Sequence, residues 1–283
     1  MNNSHCRTAS RNMCAPQNKI AALFVDIDGT VMECQKYFDR AEREFSKLMS
    51  LVGFDPAQAR ETLHQVYYQS MPHRGFERQR FAEAIAEAYG KLCKSNGQRK
   101  DHVVSNICER IGTAPFFNQP ELFPDVLPVL TRARHNFLIV AVTVGSRDPQ
   151  KYKIRQGGLS SVFDDIIITL QENKAQLVDE FMKDVGVHPC YSLFVGNSIR
   201  SDGATLAKTN FAYLPLETSL ASPTDAFPKD TGFELFQVSD WPEFEERAIN
   251  RLIRRRRRAL QYDSGSGIQI GAADSPCGCS EST

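Results

Sequence analysis

Two aspartates separated by one residue, Asp26 and Asp28, follow an apolar run that begins at Ile20. Side chains two residues apart on an extended chain point the same way, so we expect both carboxylates to face one point. One of them can attack an electrophile while the other donates and later accepts a proton. Gly29 permits the tight turn that follows. This pair suits cleavage of a phosphate monoester, which needs a nucleophile and an acid for the leaving oxygen.

Further polar residues follow later apolar runs, and we expect them to contact the phosphate group of the same substrate. Thr143 and Val144 end one run and would present a hydroxyl and backbone amides to a phosphoryl oxygen. We count Gly29 with them as substrate-binding. Lys174 could neutralise both the phosphate and the attacking carboxylate. Asp202 follows a further run and could complete a metal site.

A metal is expected because two carboxylates do not approach a phosphate dianion unaided. A hard cation held by oxygen ligands compensates that charge, and Mg²⁺ is the ion we predict. The carboxylate side of the site would then consist of Asp26, Asp28 and Asp202.

The elements that position these residues alternate between strand and helix patterns. After the run at Ile20, short apolar segments bounded by breakers predict strands at Phe137–Thr143, Asp164–Thr169, Ser192–Gly196 and Phe211–Leu214. Helical periodicity lies between them, for example at Leu177, Phe181, Met182 and Val185. Such alternation predicts an α/β fold with a doubly wound parallel sheet.

A long segment after the first strand has no strand signal and repeats with helical periodicity. We predict an inserted, all-helical cap over residues 34–116, made of four helices. Gly53 is placed to end the first helix, and Asp55 with Pro56 to begin the second. The aromatic stripe is expected to pack the cap's own core, and it consists of Phe38, Phe45, Phe81 and Tyr89.

These patterns divide the chain into four parts. Residues 1–19 are predicted to be a disordered leader, 20–33 and 117–250 the sheet domain, 34–116 the cap, and 251–283 a basic and then Gly/Ser-rich disordered tail. The arginine run Arg254–Arg258 is either a solvated helix end, a nuclear localisation signal, or a segment that binds RNA or anionic lipid.

The composition and charge argue against a disordered protein, a protein that binds nucleic acid or membranes through its overall charge, and a membrane-spanning protein. With 41% hydrophobic and 24% charged residues the chain has the composition of a globular protein, and its net charge of +0 creates no overall field for nucleic acid or membranes. No apolar run approaches the roughly 18 residues of a membrane span. Eight scattered cysteines favour reduced thiols in a cytoplasm, where we expect the protein to reside. No sequence feature indicates an oligomeric state.

The sequence DIDGT at Asp26–Thr30, then Thr143, Lys174 and finally GNSIRSD at 196–202 resemble, in order, the four motifs of the haloacid dehalogenase-like (HAD) superfamily. The resemblance covers residues 20–217 and is most similar to a branch with a GNSxRSD fourth motif and a helical cap after the first. It implies a Mg²⁺-dependent phosphatase acting on a small phosphorylated metabolite. Asp26 would form a phosphoaspartyl intermediate, Asp28 would act as general acid and base, and Asp26, the Asp28 carbonyl and Asp202 would bind the metal.

Two positions depart from the family pattern. Asn197 stands where many relatives have aspartate, which leaves the metal site with one carboxylate fewer and predicts weaker Mg²⁺ binding. Val144 stands where branch members often have Lys or Asn, so one side-chain contact to the substrate is missing.

Several interpretations remain open in the sequence. Arg200 is either a phosphate neighbour or half of a structural ion pair, and Asp202 could instead cap a helix that begins near Gly203. A loop with His73, Arg74 and Arg78 could face the substrate. A phosphomutase or phosphotransferase, or a catalytically weak interaction module that uses the basic tail, would share this core. A dehalogenase is disfavoured because that chemistry needs neither a metal nor Asp28.

Overall fold

In the computed structural model, which describes residues 21–74, 78–217 and 225–265, six parallel strands form one sheet in the order β5-β4-β1-β6-β7-β8. The strands are β1 Ala22–Val25, β4 Leu138–Val144, β5 Asp165–Thr169, β6 Leu193–Gly196, β7 Asn210–Tyr213 and β8 Leu235–Gln237. The chain builds outward from β1 to β4 and β5, then returns to build β6 to β8 on the other side. The carboxyl ends of β1, β4 and β6 therefore meet where the direction of winding reverses, which is where ligands bind in such sheets.

Helices cover both faces of this sheet, as a parallel sheet requires. Alternate residues of β1 face opposite sides: Leu23 and Val25 belong to one hydrophobic cluster, Ala22 and Phe24 to another. The covering helices are α5 Val126–Ala133, α6 Arg147–Gln156, α7 Lys174–Val185, α8 Trp241–Phe244 and α9 Asn250–Gly265. The predicted doubly wound α/β fold is confirmed, with strand ends within two residues of those expected.

Three short strands were not predicted. The edge strand β8 has three residues, of which only Phe236 is buried, too short to show a pattern. The other two, β2 Met32–Glu33 and β3 Glu121–Leu122, form a separate antiparallel pair.

The segment between β2 and β3 is helical. It contains α1 Gln35–Leu51, α2 Pro56–Arg74, α3 Arg78–Ser95 and α4 His102–Thr113, which pack around a hydrophobic cluster of their own. The predicted start of the second helix is confirmed, because Asp55 Oδ1 accepts a hydrogen bond from the Gln58 backbone N–H at 2.7 Å. We call these four helices the cap.

The β2–β3 pair is where the cap leaves and rejoins the sheet domain. Met32 lies opposite Leu122, and Lys36 at the start of α1 bridges Glu33 and Glu121 at 2.6 Å each. Both ends of the cap are thus held side by side.

The folded part extends past Asn250, where the sequence analysis ended it. Helix α9 runs through the arginine residues Arg254–Arg258, so the predicted boundary of the tail at 251 is wrong. Leu252 is 1% exposed within the cluster that holds Trp241 and Phe244, and Arg256 donates to the Asn136 carbonyl at 3.1 Å. Residues 1–19 and the Gly/Ser-rich stretch beyond 265 lie outside the described residues. Among the described helices, none is both long and apolar enough to cross a membrane.

Candidate functional site

A cavity of about 370 Å³ lies between the carboxyl edge of the sheet and the cap. Its sheet side is lined by Asp26 after β1, Thr143 and Val144 at the end of β4, Lys174 at the start of α7 and Asn197 after β6. Residues from four separate segments therefore converge on one space, as the strand-end pattern predicted.

Lys174 sits between two carboxylates at the bottom of this cavity. Its Nζ lies 2.5 Å from Asp26 Oδ1 and 2.6 Å from Asp202 Oδ1, and its side chain is 2% exposed. The second oxygen of Asp26 accepts a hydrogen bond from the Thr30 hydroxyl at 2.7 Å. Asp26 is thereby fixed in one orientation with 4% of its surface exposed.

Asp202 is fully buried behind Lys174 and does not itself line the cavity. Its Oδ2 accepts from the Ser198 backbone N–H at 3.0 Å and its Oδ1 from the Ser201 hydroxyl at 3.0 Å. It makes no side-chain capping bond to the short 3-10 helix that begins at Gly203. Of the two interpretations left open for Asp202, the helix cap is therefore not observed, while the metal-binding role stays a prediction.

Burial and mutual charge shift the proton affinities of this trio. Burial raises the pKa of Asp26 above its ordinary value, Lys174 opposes that shift, and the charge of Asp202 adds to it. Burial alone would lower the pKa of Lys174, but the carboxylates of Asp202 and Asp26 hold it above its usual range. Lys174 is therefore shared by two acids, whose charges favour its protonated form.

Asp28 is held by two residues of α6 that the sequence analysis missed. Lys153 Nζ lies 2.6 Å from Asp28 Oδ1, and Gln150 Nε2 donates to Asp28 Oδ2 at 2.7 Å. The Lys153 side chain is 16% exposed and lines the cavity. The two residues are spaced i, i+3 on the helix that follows the Thr143 strand, which is the signal that could have identified them.

The Thr143 hydroxyl has no hydrogen-bond partner among the described residues, although Thr143 is 1% exposed. A buried hydroxyl without a partner is uncommon and suggests an absent one. Val144 lines the cavity beside it, and its carbonyl accepts from Gln150 Nε2 at 3.1 Å.

Gly29 is not among the residues that line the cavity, and its predicted contact with the substrate stays a prediction. Its φ of +80° is in the left-handed region that favours glycine, and a Cβ there would overlap the Asn197 amide. Gly29 therefore shapes the turn after Asp28. The Asn197 Oδ1 in turn accepts from the Thr30 hydroxyl at 3.4 Å.

Glu217 connects the sheet domain to the first cap helix. Its carboxylate accepts from the backbone N–H groups of Cys34 and Gln35, at distances between 2.8 and 3.1 Å. A carboxylate at a helix N-terminus satisfies donors that have no intrahelical partner. The Cys34 thiol also lines the cavity, but burial and then the charge of Asp28 raise its pKa, so it stays neutral.

The cap side of the cavity combines rings with ion pairs. Of the predicted core stripe, Phe45 and Tyr89 do pack in the cap core, whereas Phe38 and Phe81 also line the cavity. The prediction for Phe38 and Phe81 was incomplete, because helical periodicity does not distinguish a face that packs in a core from one that lines a cavity.

Arg200 pairs with Glu172 at 3.2 Å on the cavity wall, so the structural ion pair is the interpretation that the contacts favour. The side chains of His73, Arg74 and Arg78 lie outside the part of the chain whose side chains are described.

The cavity lining carries more negative than positive charge. Six acidic residues line it, namely Asp26, Asp28, Asp39, Glu42, Glu172 and Glu217, against four Lys or Arg residues. Each of those four cations pairs with a carboxylate, as Lys153 does with Asp28 and Arg60 with Glu42. Among the described residues no three His, Cys, Asp or Glu side chains cluster as metal ligands. A metal would therefore need carbonyl or amide oxygens as well as the carboxylates.

No protein-family model matches this sequence, and no curated protein matches it.

Solved structures, in contrast, match over most of the chain. A haloacid dehalogenase-like family hydrolase from Xanthomonas campestris has a TM-score of 0.68 at 20% identity, covering 86% of this chain and 96% of that one. The HAD-hydrolase YfnB from Bacillus subtilis bound to magnesium has 0.54 at 17%, covering 81% and 98%. L-2-haloacid dehalogenase from Xanthobacter autotrophicus has 0.51 at 18%, covering 83% and 98%. At these identities the likeness shows a shared fold, which is the haloacid dehalogenase-like fold.

Proposed function

We propose that this protein is a Mg²⁺-dependent phosphomonoester hydrolase of the HAD superfamily that acts on a small phosphorylated metabolite. The observation that carries the proposal is the joint position of Asp26, Asp28 and Thr143 around one cavity. It offers a fixed carboxylate, a second carboxylate and a hydroxyl without a partner. A phosphoryl group would use all of them.

In the first half of the reaction the Asp26 carboxylate attacks phosphorus and the bond from phosphorus to the leaving oxygen breaks. Asp28 acts as the general acid and gives a proton to that oxygen, so the product leaves as an alcohol. Lys174 keeps Asp26 oriented at 2.5 Å and compensates charge on the phosphoryl oxygens. The Thr143 hydroxyl donates to one of those oxygens.

In the second half a water molecule attacks the phosphorus of the phosphoaspartyl group. Asp28 now takes the proton of that water, and the bond from phosphorus to Asp26 breaks, which releases inorganic phosphate. Lys153 and Gln150, whose contacts to Asp28 are 2.6 and 2.7 Å, would orient it for both steps.

The charge of the cavity supports a divalent cation. Since each lining Lys or Arg already pairs with an acid, a phosphate dianion would enter a net negative space. The oxygens that line this space are of the kind that Mg²⁺ prefers: the Asp26 carboxylate, the Asp28 carbonyl and the Asn197 amide. Asp202, which the family resemblance adds to this set, lies fully buried behind Lys174. Bound Mg²⁺ would supply the missing positive charge. The magnesium-bound neighbour of the same fold is consistent with such a site.

Dehalogenases of the same fold make carbon–halogen cleavage the alternative to test. The excess of acids around the cavity opposes a 2-haloacid, whose carboxylate would have to enter it. A phosphomutase or phosphotransferase would return the phosphoryl group to an acceptor instead of water.

The deciding experiment is a panel of phosphomonoesters assayed for phosphate release with Mg²⁺ and after chelation, beside a 2-haloacid assayed for halide release. We expect Mg²⁺-dependent phosphate release that Asp26→Asn abolishes, and no halide. Halide release would replace the phosphatase with a dehalogenase. Phosphate transfer to an added alcohol without net release would indicate a transferase. Absence of any turnover above Asp26→Asn would leave an interaction module.

A further inference from the structure

A continuous row of aromatic rings from the segment between β2 and β3 lines the cavity. We call this row the ring wall, and it consists of Phe38, Tyr67, Tyr68, Phe81 and Phe116, all of which line the cavity. Phe38 meets Phe81 at 5.1 Å and Phe116 at 5.6 Å between ring centroids, and Tyr67 meets Phe81 at 5.4 Å and Tyr68 at 6.0 Å. The pairs are edge-to-face, the arrangement that aromatic rings prefer.

Five polar side chains beside the ring wall are already engaged with each other. Glu42 accepts from His64 at 3.1 Å and pairs with Arg60 at 3.3 Å. The Gln35 amide donates to Asp39 at 2.8 Å. Hydroxyl groups of a sugar or polyol placed here would therefore compete with existing partners or lose the hydrogen bonds they make in water, which costs binding energy.

We propose that the physiological substrate is a phosphate ester whose leaving group is aromatic and carries no second anionic group. The inference rests on the proposed phosphatase function, which places the phosphoryl group at Asp26 and the leaving group toward the cap. The cavity of about 370 Å³ is within the range of small-molecule sites. An aromatic leaving group buries its apolar faces against the ring wall and extends the edge-to-face pattern.

The excess of acidic residues in the cavity lining disfavours a second anion on the leaving group. Asp39 contributes a carboxylate to the cavity from the cap side, and Glu172 and Glu217 add two more from the sheet side. A carboxylate or second phosphate on the leaving group would be repelled by these acids. A neutral or cationic ring is the chemistry that fits.

The substrate test compares benzyl phosphate with glucose 6-phosphate and with phosphoglycolate. All three are phosphate esters of primary alcohols, so intrinsic reactivity does not separate them. We expect kcat/KM for benzyl phosphate to exceed both others by about tenfold or more, the scale of burying one ring. Equal or better hydrolysis of glucose 6-phosphate or phosphoglycolate would overturn the aromatic assignment while the phosphatase function stands.

Two neighbouring phenylalanines provide a matched pair of variants. Phe116 belongs to the ring wall, whereas Phe117 is 63% exposed and does not line the cavity. We expect Phe116→Ala to raise KM for benzyl phosphate about 3- to 10-fold and to leave KM for glycerol 3-phosphate within twofold. Phe117→Ala should change neither. An equal effect of Phe116→Ala on both substrates would contradict the proposal.

A binding measurement on the unmutated protein separates the two proposals if no ester is turned over. Benzylphosphonate and methylphosphonate, titrated by calorimetry with Mg²⁺ present, differ only by the ring. Tighter binding of benzylphosphonate by about tenfold supports an aromatic-binding cavity even if hydrolysis fails. Equal affinity overturns that assignment whatever the catalytic result.

Discussion

The Thr143 hydroxyl is the polar atom in the site whose function can be separated from stability. It is buried and has no partner among the described residues, so the folded protein gains nothing from it. We predict that Thr143→Val raises the free energy of unfolding by about 1 kcal/mol, because it removes an unsatisfied buried group. The same substitution should lower kcat/KM about tenfold through loss of a donor to the phosphoryl group. Denaturant unfolding and steady-state kinetics measure the two effects.

A loss of stability in Thr143→Val would mean that the hydroxyl has a structural partner. Unchanged kinetics would remove Thr143 from the phosphate site. Thr205→Val is a useful control, because the Thr205 hydroxyl is buried too but donates to the Asp202 carbonyl at 2.6 Å. That variant should be destabilised.

The contact between Lys153 and Asp28 can also be tested by substitution. We predict that Lys153→Met lowers kcat about tenfold, because Asp28 loses one of the two donors that hold it. In an Asp28→Asn background, where turnover is already slower by about 100-fold or more, the same change should have little further effect. A double-mutant cycle on kcat measures this coupling.

The neighbouring Lys151 on α6 provides the control for Lys153, because Lys151→Met removes a lysine that does not line the cavity. Equal effects of the two substitutions, or strictly additive effects with Asp28→Asn, would show that Lys153 does not act through Asp28.

At the scale of elements, the start of α1 depends on a residue far away in sequence. Glu217 accepts from the first backbone N–H groups of this helix, across 182 and 183 positions. We predict that Glu217→Ala lowers the free energy of unfolding by about 1 kcal/mol, the usual effect of a partly buried carboxylate at a helix N-terminus. Glu172→Ala, which removes a partly exposed ion pair with Arg200, should cost less. The same loss in both variants would contradict the role assigned to Glu217.

Elements were predictable where a residue's own neighbours in sequence determine its structure. The strand before Asp26 and the start of α2 at Asp55 and Pro56 follow from local pattern and capping chemistry. The positions of Asp26, Thr143 and Lys174 relative to the predicted strands also indicated that they lie together, and all three line one cavity.

What the sequence did not reveal depends on tertiary packing. Lys153 and Lys151 lie two positions apart, and only the orientation of α6 against the sheet decides which one reaches Asp28. Phe38 and Phe45 share one helix stripe, yet one lines a cavity and the other packs a core. The short strands β2, β3 and β8 exist because a neighbouring strand pairs with them, and two or three residues carry no periodicity of their own.

At the scale of the whole molecule, α9 fastens the last described part of the chain to the sheet domain. Leu252 is 1% exposed and Leu260 is 49% exposed on the same helix. We predict that Leu252→Ala lowers the free energy of unfolding by about 2–5 kcal/mol, as for other buried leucines, whereas Leu260→Ala changes it by less than about 0.5 kcal/mol. Denaturant unfolding of the two variants decides the point. Similar values for both would mean that the helix does not contribute to the core.

The β2–β3 pair determines how the cap is connected to the sheet domain. Because Met32 and Leu122 lie side by side, the whole cap enters and leaves through a single narrow stem. The stem contains none of the six strands of the parallel sheet, and Asp26 and Asp28 precede it in the chain. Under the proposed function, a different cap could therefore change which leaving group is recognised while both carboxylates stay on the sheet domain.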